Sequence, residues 1–329
     1  MRAAVITRPG GPEVLEVRDV PRPLPRDGEV LVRVHASALN RADLLQREGR
    51  YPAPPGAPSN IPGLEIAGEV VECGDGVATW RPGDRVFGIV GGGGNAEFAV
   101  SRANELVRIP GNMSWTHAAA VPEAFITAHD ALVTLGGVGP GHQVLVHAVG
   151  SGVGLAAIQL ARAFGATCYG TARSHDKVAR ARDFGLAEGI VIEGDPAAMV
   201  EHVRAWTASH GVDVVVDLIG GAYLASSVEC AAQLGRVILV GLLAGRSATL
   251  NLGMILQRRL TLRGTVMRSR SAVEKAEATA AFARDVVPLL ERETVRPVIE
   301  REFPLDEIAD AHQLMASNRT FGKVVIRSA

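Results

Sequence analysis

Between His147 and Gly154 the chain reads His-Ala-Val-Gly-Ser-Gly-Val-Gly, with the apolar run QVLVHA (143–148) leading in and LAAIQLARAFG (155–165) leading out. Glycines at such a turn let the backbone bend sharply and approach a bound group. The first N–H groups of the following helix point at that group without carbonyl partners of their own. The alternation then continues. Apolar runs TCYGTA (167–172), GIVIE (189–193), VDVVVDLIG (212–220), RVILVG (236–241) and LTLRGT (260–265) follow, with the helical stretches SHDKVARARDFG (174–185) and DPAAMVEHVRAWTASHG (195–211) between the first of them. All three helical stretches end in glycine, as helix C-termini commonly do. Asp195-Pro196 predicts a capped start for the last one. Six strands with crossover helices predict an α/β domain built on a doubly wound parallel sheet, the architecture that binds dinucleotides. The spacing is not G-x-G-x-x-G, and a glycine cluster alone also serves a tight structural turn. Its place at the first strand-to-helix junction predicts cofactor binding by Ser151, Gly152, Val153 and Gly154.

The residues before this pattern follow another rhythm. EVLVRVHASAL (29–39), GEVVEC (68–73) and DRVFGIV (84–90) alternate like half-buried strands, and EFAVSR (97–102) is a short one. YPAPPGAPSNIPG (51–63) is a loop stiffened by its prolines. This region predicts a β-rich, barrel-like domain over 1–122, with the dinucleotide domain over 123–266. After Met267 a long polar helix, AVEKAEATAAFARDVVPLL (272–290), and a last strand, GKVVIR (322–327), predict that 267–329 returns to the first domain.

Charge excludes one class of partner. Lys plus Arg is 34 and Asp plus Glu is 35, which leaves no cation surplus to displace counterions from nucleic acid. Three scattered cysteines make neither a disulfide framework nor a metal knuckle, and suit a cytoplasmic protein. Residues 131–161 carry no formal charge, but seven glycines and Pro140 break them into a strand and a helix rather than a membrane span.

The end of the second strand bears on the cofactor. An NAD site carries an acidic residue there, about 20 positions beyond the glycines, to hold the ribose 2′-hydroxyl. This chain has Thr171-Ala-Arg-Ser-His-Asp-Lys177 instead. Arg173, Ser174 and Lys177 are able to hold a 2′-phosphate, which predicts NADPH; a solvated helix start capped by Ser174 is the plainer alternative.

The whole chain resembles the zinc-independent quinone oxidoreductase branch of the medium-chain dehydrogenase/reductase family. The marks are ALNRADLLQREGRYP (38–52), PGLEIAGEV (62–70), GDRVFG (83–88), VHAVGSGVGLAAIQLARAFGA (146–166) and GKVVI (322–326). Within that branch, Ser151–Gly154, GLLAG (241–245) and MRSRS (267–271) are most similar to the animal members induced by a tumour-suppressor transcription factor. The resemblance implies that the β-rich domain is GroES-like. Zinc-dependent members hold a metal at positions that correspond to Asn40, Leu64 and Glu123, and two of these three are poor ligands. A site without a Lewis acid suits acceptors such as quinones and enones, whose reduced product is already stabilised. The resemblance further implies that Asn40 and Thr127 lie near the nicotinamide, Gly241, Leu242 and Leu243 flank it, and Lys323 reaches the pyrophosphate. Tyr51 would sit at the cleft mouth on a mobile loop, with Tyr51 or water as proton donor. In the same relatives a tyrosine often ends the third strand beside the adenosine phosphate, where this chain has Ile192 and Glu193. His129 and His147 are acid–base candidates, although His147 ends a buried strand and reads better as a core residue. The leading expectation is an NADPH:quinone oxidoreductase, a homodimer paired through RVILVG and LTLRGT. An enone or enoyl-thioester reductase and a non-enzymatic NADPH-binding regulator are its rivals.

Overall fold

In the computed structural model, which describes residues 1–328, the chain divides into two compact units. One is Met1–Ile126 together with the chain from Met267 on; the other is Thr127–Val266.

In the second unit six strands form one fully parallel sheet. Its order is Leu186–Val191, Thr167–Ala172, Gln143–Val146, Val212–Asp217, Ala231–Leu239 and Thr261–Gly264. The chain therefore starts at the centre, winds outward one way and then the other. This reversal opens a crevice at the carboxyl ends of the central strands. The strands are apolar throughout because helices cover both faces: Leu145, Val215 and Val237 pack with Met199, Val203 and Val228. Burying each such side chain contributes about 1.5–3 kcal/mol. Gly165, Gly185 and Gly211 follow the three helices with positive φ. The third helix starts later than Asp195-Pro196 implies, at Ala198. Asp195 instead caps a preceding turn, its Oδ1 accepting from the Ala197 N–H at 2.9 Å. Thr261–Gly264 is one of the two edge strands and is exposed along its length.

The first unit carries a seven-stranded sheet in which Glu29–Ala38 is the hub. One edge of this ten-residue strand pairs with Glu65–Cys73. The other is shared by Phe98–Arg102 at its start and Lys323–Arg327 at its end. Neighbours on that one edge thus come from two different parts of the chain. Val30, Val32 and Val34 enter one core with Ile66, Val70 and Val86, while Leu31 and Ser37 on the opposite face are equally buried. The strand keeps the half-buried character its alternation predicts, since Glu29, Arg33 and His35 on that opposite face reach solvent between the buried Leu31 and Ser37. The polar segment after Met267 also differs. It breaks into helices Ala272–Asp285 and Val287–Glu291, Pro288 lacking the N–H that would continue the first.

Candidate active site

In the β-rich unit, Asn40 ends the hub strand's continuation and precedes the short helix Arg41–Arg47. Asp43, three residues on, turns back so that its Oδ2 accepts from the Asn40 N–H at 2.7 Å, while its Oδ1 accepts from the Gly63 N–H at 2.8 Å. These bonds bring the start of Glu65–Cys73 to the same place. Glu65 is fully buried. Its Oε1 accepts from Asn40 Nδ2 at 2.8 Å and from Lys323 Nζ at 2.6 Å, and its Oε2 accepts from the Glu123 N–H at 2.8 Å. Lys323 also donates to Asn40 Oδ1 at 2.6 Å and to the Leu39 carbonyl at 2.9 Å. All three ammonium donors are therefore engaged inside this unit, and the residue is buried. This corrects the expectation that Lys323 reaches a pyrophosphate: its charge is spent on Glu65.

The donor set answers the question of zinc. Asn40 has both side-chain atoms committed, Leu64 is a buried hydrocarbon, and a lysine ammonium stands among the polar atoms. A divalent cation would have to displace that ammonium and would then find too few good ligands. No group of three metal-binding side chains exists among the described residues. The residues do not fit the metal.

Three carboxyl groups share the one ammonium. Burial pushes the Asp43 carboxyl up to about 6, against the pull of its two backbone hydrogen bonds. Burial pushes Glu123 up to about 7, and the neighbouring charge of Glu65 adds to it. Near neutral pH Glu123 thus holds its proton part of the time, which sequence reasoning missed. Tyr51 lies within electrostatic reach of Glu123, and burial raises its phenol above the ordinary range. Its loop is not loose. The buried Arg268 guanidinium sits 5.1 Å over the Tyr51 ring and donates to Gln46 Oε1 at 2.7 Å, to the Gly91 carbonyl at 2.8 Å and to the Tyr51 carbonyl at 3.4 Å.

In the other unit the glycine turn has the form its sequence implies. Ser151 caps the helix Gly152–Ala163, its Oγ accepting from the Gly154 N–H at 3.0 Å. The N–H groups of Gly152 and Val153 lie in the first turn and have no carbonyl behind them. A Cβ on Gly154 would come 2.4 Å from the Ala148 carbonyl oxygen, and one on Gly150 would come 2.9 Å from Lys177 Cδ. The turn is a cradle that side chains would fill, and the Lys177 stem lies against it. Arg173 is exposed; Ser174 caps the next helix through the Lys177 N–H at 3.4 Å. Ile192 is buried in the core, and Glu193 is exposed. Gly241 is held by its N–H to the Asp217 carbonyl at 3.2 Å, with Leu242 and Leu243 exposed beside it. Thr127 is buried within the helix Pro122–His129 rather than at a cap, and its Oγ1 has no hydrogen-bond partner. These features fit a dinucleotide: helix N–H groups without carbonyl partners and the nearby Arg173 and Lys177 for phosphates, and one orphaned hydroxyl.

His147 is the core residue its strand implies. It is fully buried, 2.9 Å from Ser227 Oγ through Nε2 and 3.1 Å from Thr171 Oγ1 through Nδ1, and burial lowers its pKa. Ser227 in turn donates to Asp217 at 3.2 Å. The network ties three strand ends together. His129 is buried as well.

Residues 26–111 match the alcohol dehydrogenase GroES-like domain, and residues 152–282 match the zinc-binding dehydrogenase family. The chain belongs to the quinone oxidoreductases of the medium-chain dehydrogenase/reductase family. It is 36% identical to a quinone oxidoreductase of Pseudomonas aeruginosa, over 96% of both chains. It is 30% identical to a quinone oxidoreductase of Homo sapiens, over 99% of this chain and 97% of that one. A mycobacterial protein solved in complex with NADPH superimposes with a TM-score of 0.89 at 27% identity, all of both chains being covered.

Proposed function

We propose that the protein is an NADPH-dependent quinone oxidoreductase that works without zinc, with Thr127–Val266 as its cofactor domain and the β-rich unit as its catalytic domain. The observation that carries this reading is the Lys323 ammonium seated on Glu65 and Asn40. It neutralises the site from within and leaves no Lewis acid to polarise an alcohol or plain ketone. Family membership and the glycine cradle support it further. When bound, NADPH supplies the hydride. Ser151, Gly152, Val153 and Gly154 hold the pyrophosphate through backbone N–H groups. Arg173, Ser174 and Lys177 hold the 2′-phosphate. Thr127, Gly241, Leu242 and Leu243 position the nicotinamide, and Asn40 and Tyr51 orient the acceptor. The Tyr51 phenol or water delivers the proton that completes the hydroquinone.

The test is loss of NADPH absorbance with a quinone, an enone, an enoyl thioester and no acceptor. Turnover fastest with the quinone is expected, and unaffected by chelators. Turnover only with an enoyl thioester would replace this reading, and binding without turnover would leave a regulatory protein. We also propose a homodimer paired through Thr261–Gly264, one of the sheet's two edge strands; the RVILVG run is not part of that edge, because Ala231–Leu239 is paired on both sides. Thr261–Gly264 has an unpaired edge, and Leu262, Val266, Leu252 and Leu256 stand exposed in and near it. A cytoplasmic site is proposed from the three unpaired cysteines; among the described residues no helix is long and apolar enough to cross a membrane.

A further inference from the structure

The β-rich unit holds a cavity of about 640 Å³ that the proposed reaction does not use; Asn40, Tyr51 and Glu123 are not on its walls. Its size falls in the range of small-molecule sites, about 300–1,000 Å³. Two features of its lining restrict the occupant. About half of the wall is hydrocarbon: Pro54, Pro55 and Pro58 of the loop that follows Tyr51, with Phe98 and Val100 of an edge strand and the strongly exposed Leu24. The polar groups are unbalanced, since five cationic side chains and two carboxylates line the cavity. Two of the cations have no contact partner, although Lys275 lies within electrostatic reach of Glu105 on the same wall. The Arg26 and Lys275 side chains make no hydrogen bond or ion pair among the described residues, and Lys275 is half-buried on the wall. A partly desolvated ammonium beside apolar walls favours an anion that carries its own hydrocarbon.

One wall residue also belongs to the candidate active site. Arg268 lines the cavity, and its guanidinium grips the Tyr51 carbonyl and covers the Tyr51 ring. The proline loop is shared in the same way, forming a cavity wall directly after Tyr51.

We propose that this cavity is a second ligand site, for an amphipathic carboxylate of medium chain length, and that its occupation is transmitted to Tyr51 through Arg268 and the proline loop. The carboxylate lies toward Lys275 and Arg26, and the chain lies along the prolines, Phe98 and Val100. An occupant packed on the loop and against Arg268 shifts the position they hold Tyr51 in, so turnover changes without competition for the quinone.

The test uses the NADPH-loaded full chain, titrated calorimetrically with hexanoate, octanoate, decanoate and decanol. Saturable binding is expected, about fourfold tighter per added methylene, with decanol at least about tenfold weaker than decanoate. At saturation kcat for a quinone should change at least about twofold with a noncompetitive pattern. Lys275→Glu should weaken decanoate at least about tenfold while basal turnover is unchanged. Val100→Trp, which fills the cavity without touching charge, should abolish binding and the kinetic effect together. Absent saturable binding, equal affinity for decanol, competition with quinone, or unchanged turnover at saturation would each overturn the proposal. Binding is read without any quinone, so a different acceptor chemistry would not be mistaken for failure of this site.

Discussion

Replacing Lys323 by methionine would leave the fully buried Glu65 with no cation in contact, and Asp43 and Glu123 as further carboxyls beside it. Breaking a buried ion pair from one side costs about 3–5 kcal/mol, so Lys323→Met should lower the unfolding free energy by that order in urea denaturation. Adding Glu65→Gln should return part of it, because the uncompensated charge is then gone. If the single variant is as stable as the wild type, the ammonium is not the counter-charge of Glu65. Glu123 titrates in an accessible range. Its folded pKa near 7 stands above the unfolded value, so the protonated form is favoured by folding. That contribution is complete at pH below the ordinary carboxyl range and is lost as pH rises through 7. Glu123→Gln keeps a neutral side chain, so its stability relative to wild type should climb between pH 5 and pH 8. The climb should be about 1–3 kcal/mol, the low end being expected because the residue is half-buried and solvent screens it. A stability difference independent of pH would show that Glu123 titrates normally. For Tyr51→Phe, kcat should fall by no more than the low end of the roughly 10²–10⁴-fold range of general acids, with NADPH affinity unchanged. An unchanged kcat/KM across several quinones would reduce Tyr51 to a loop residue.

The strand–turn–helix at Gln143–Ala163 and the helix start at Ser174 belong together as elements, since the Lys177 stem rests against Gly150. Double replacement of Arg173 and Lys177 by alanine should erase a preference for NADPH over NADH of about tenfold or more in kcat/KM, while NADH use is kept. A preference that survives the double variant would place the 2′-phosphate elsewhere. This part of the molecule was readable from sequence because its determinants are local: Ser151, the glycines and the helix they begin are neighbours in the chain. The six strands were readable for the same reason, each being a short apolar run between helix signals. What was not readable is the pairing of distant residues. Nothing in GKVVI announces that Lys323 finds Glu65, and nothing in MRSRS announces that Arg268 clasps Gln46, Gly91 and Tyr51. Resemblance gave Lys323 a pyrophosphate as partner, where the chain pairs it with Glu65 and Asn40. The hub strand's half-buried character was readable because its alternation is local: Val30, Val32 and Val34 go inward while Glu29, Arg33 and His35 reach solvent.

At the scale of the whole molecule, the exposed strand Thr261–Gly264 predicts assembly. Light scattering should give twice the mass of one chain at micromolar concentration, and Leu262→Lys should shift the protein toward monomer without unfolding it. A monomeric wild type would rule the edge out as an interface. The return of Lys323–Arg327 to the hub strand has a consequence for biosynthesis. Glu65 leaves the ribosome 258 residues ahead of Lys323, about 13–50 s at 5–20 residues per second. During that interval Thr127–Val266 is complete and able to fold, whereas the first unit lacks both a sheet strand and the cation its buried acid requires. The nascent chain is thus a finished middle carrying an unfinished beginning. Chains stalled after residue 320 should show protease-resistant 127–266 and a digestible amino-terminal segment, until the last strand is supplied.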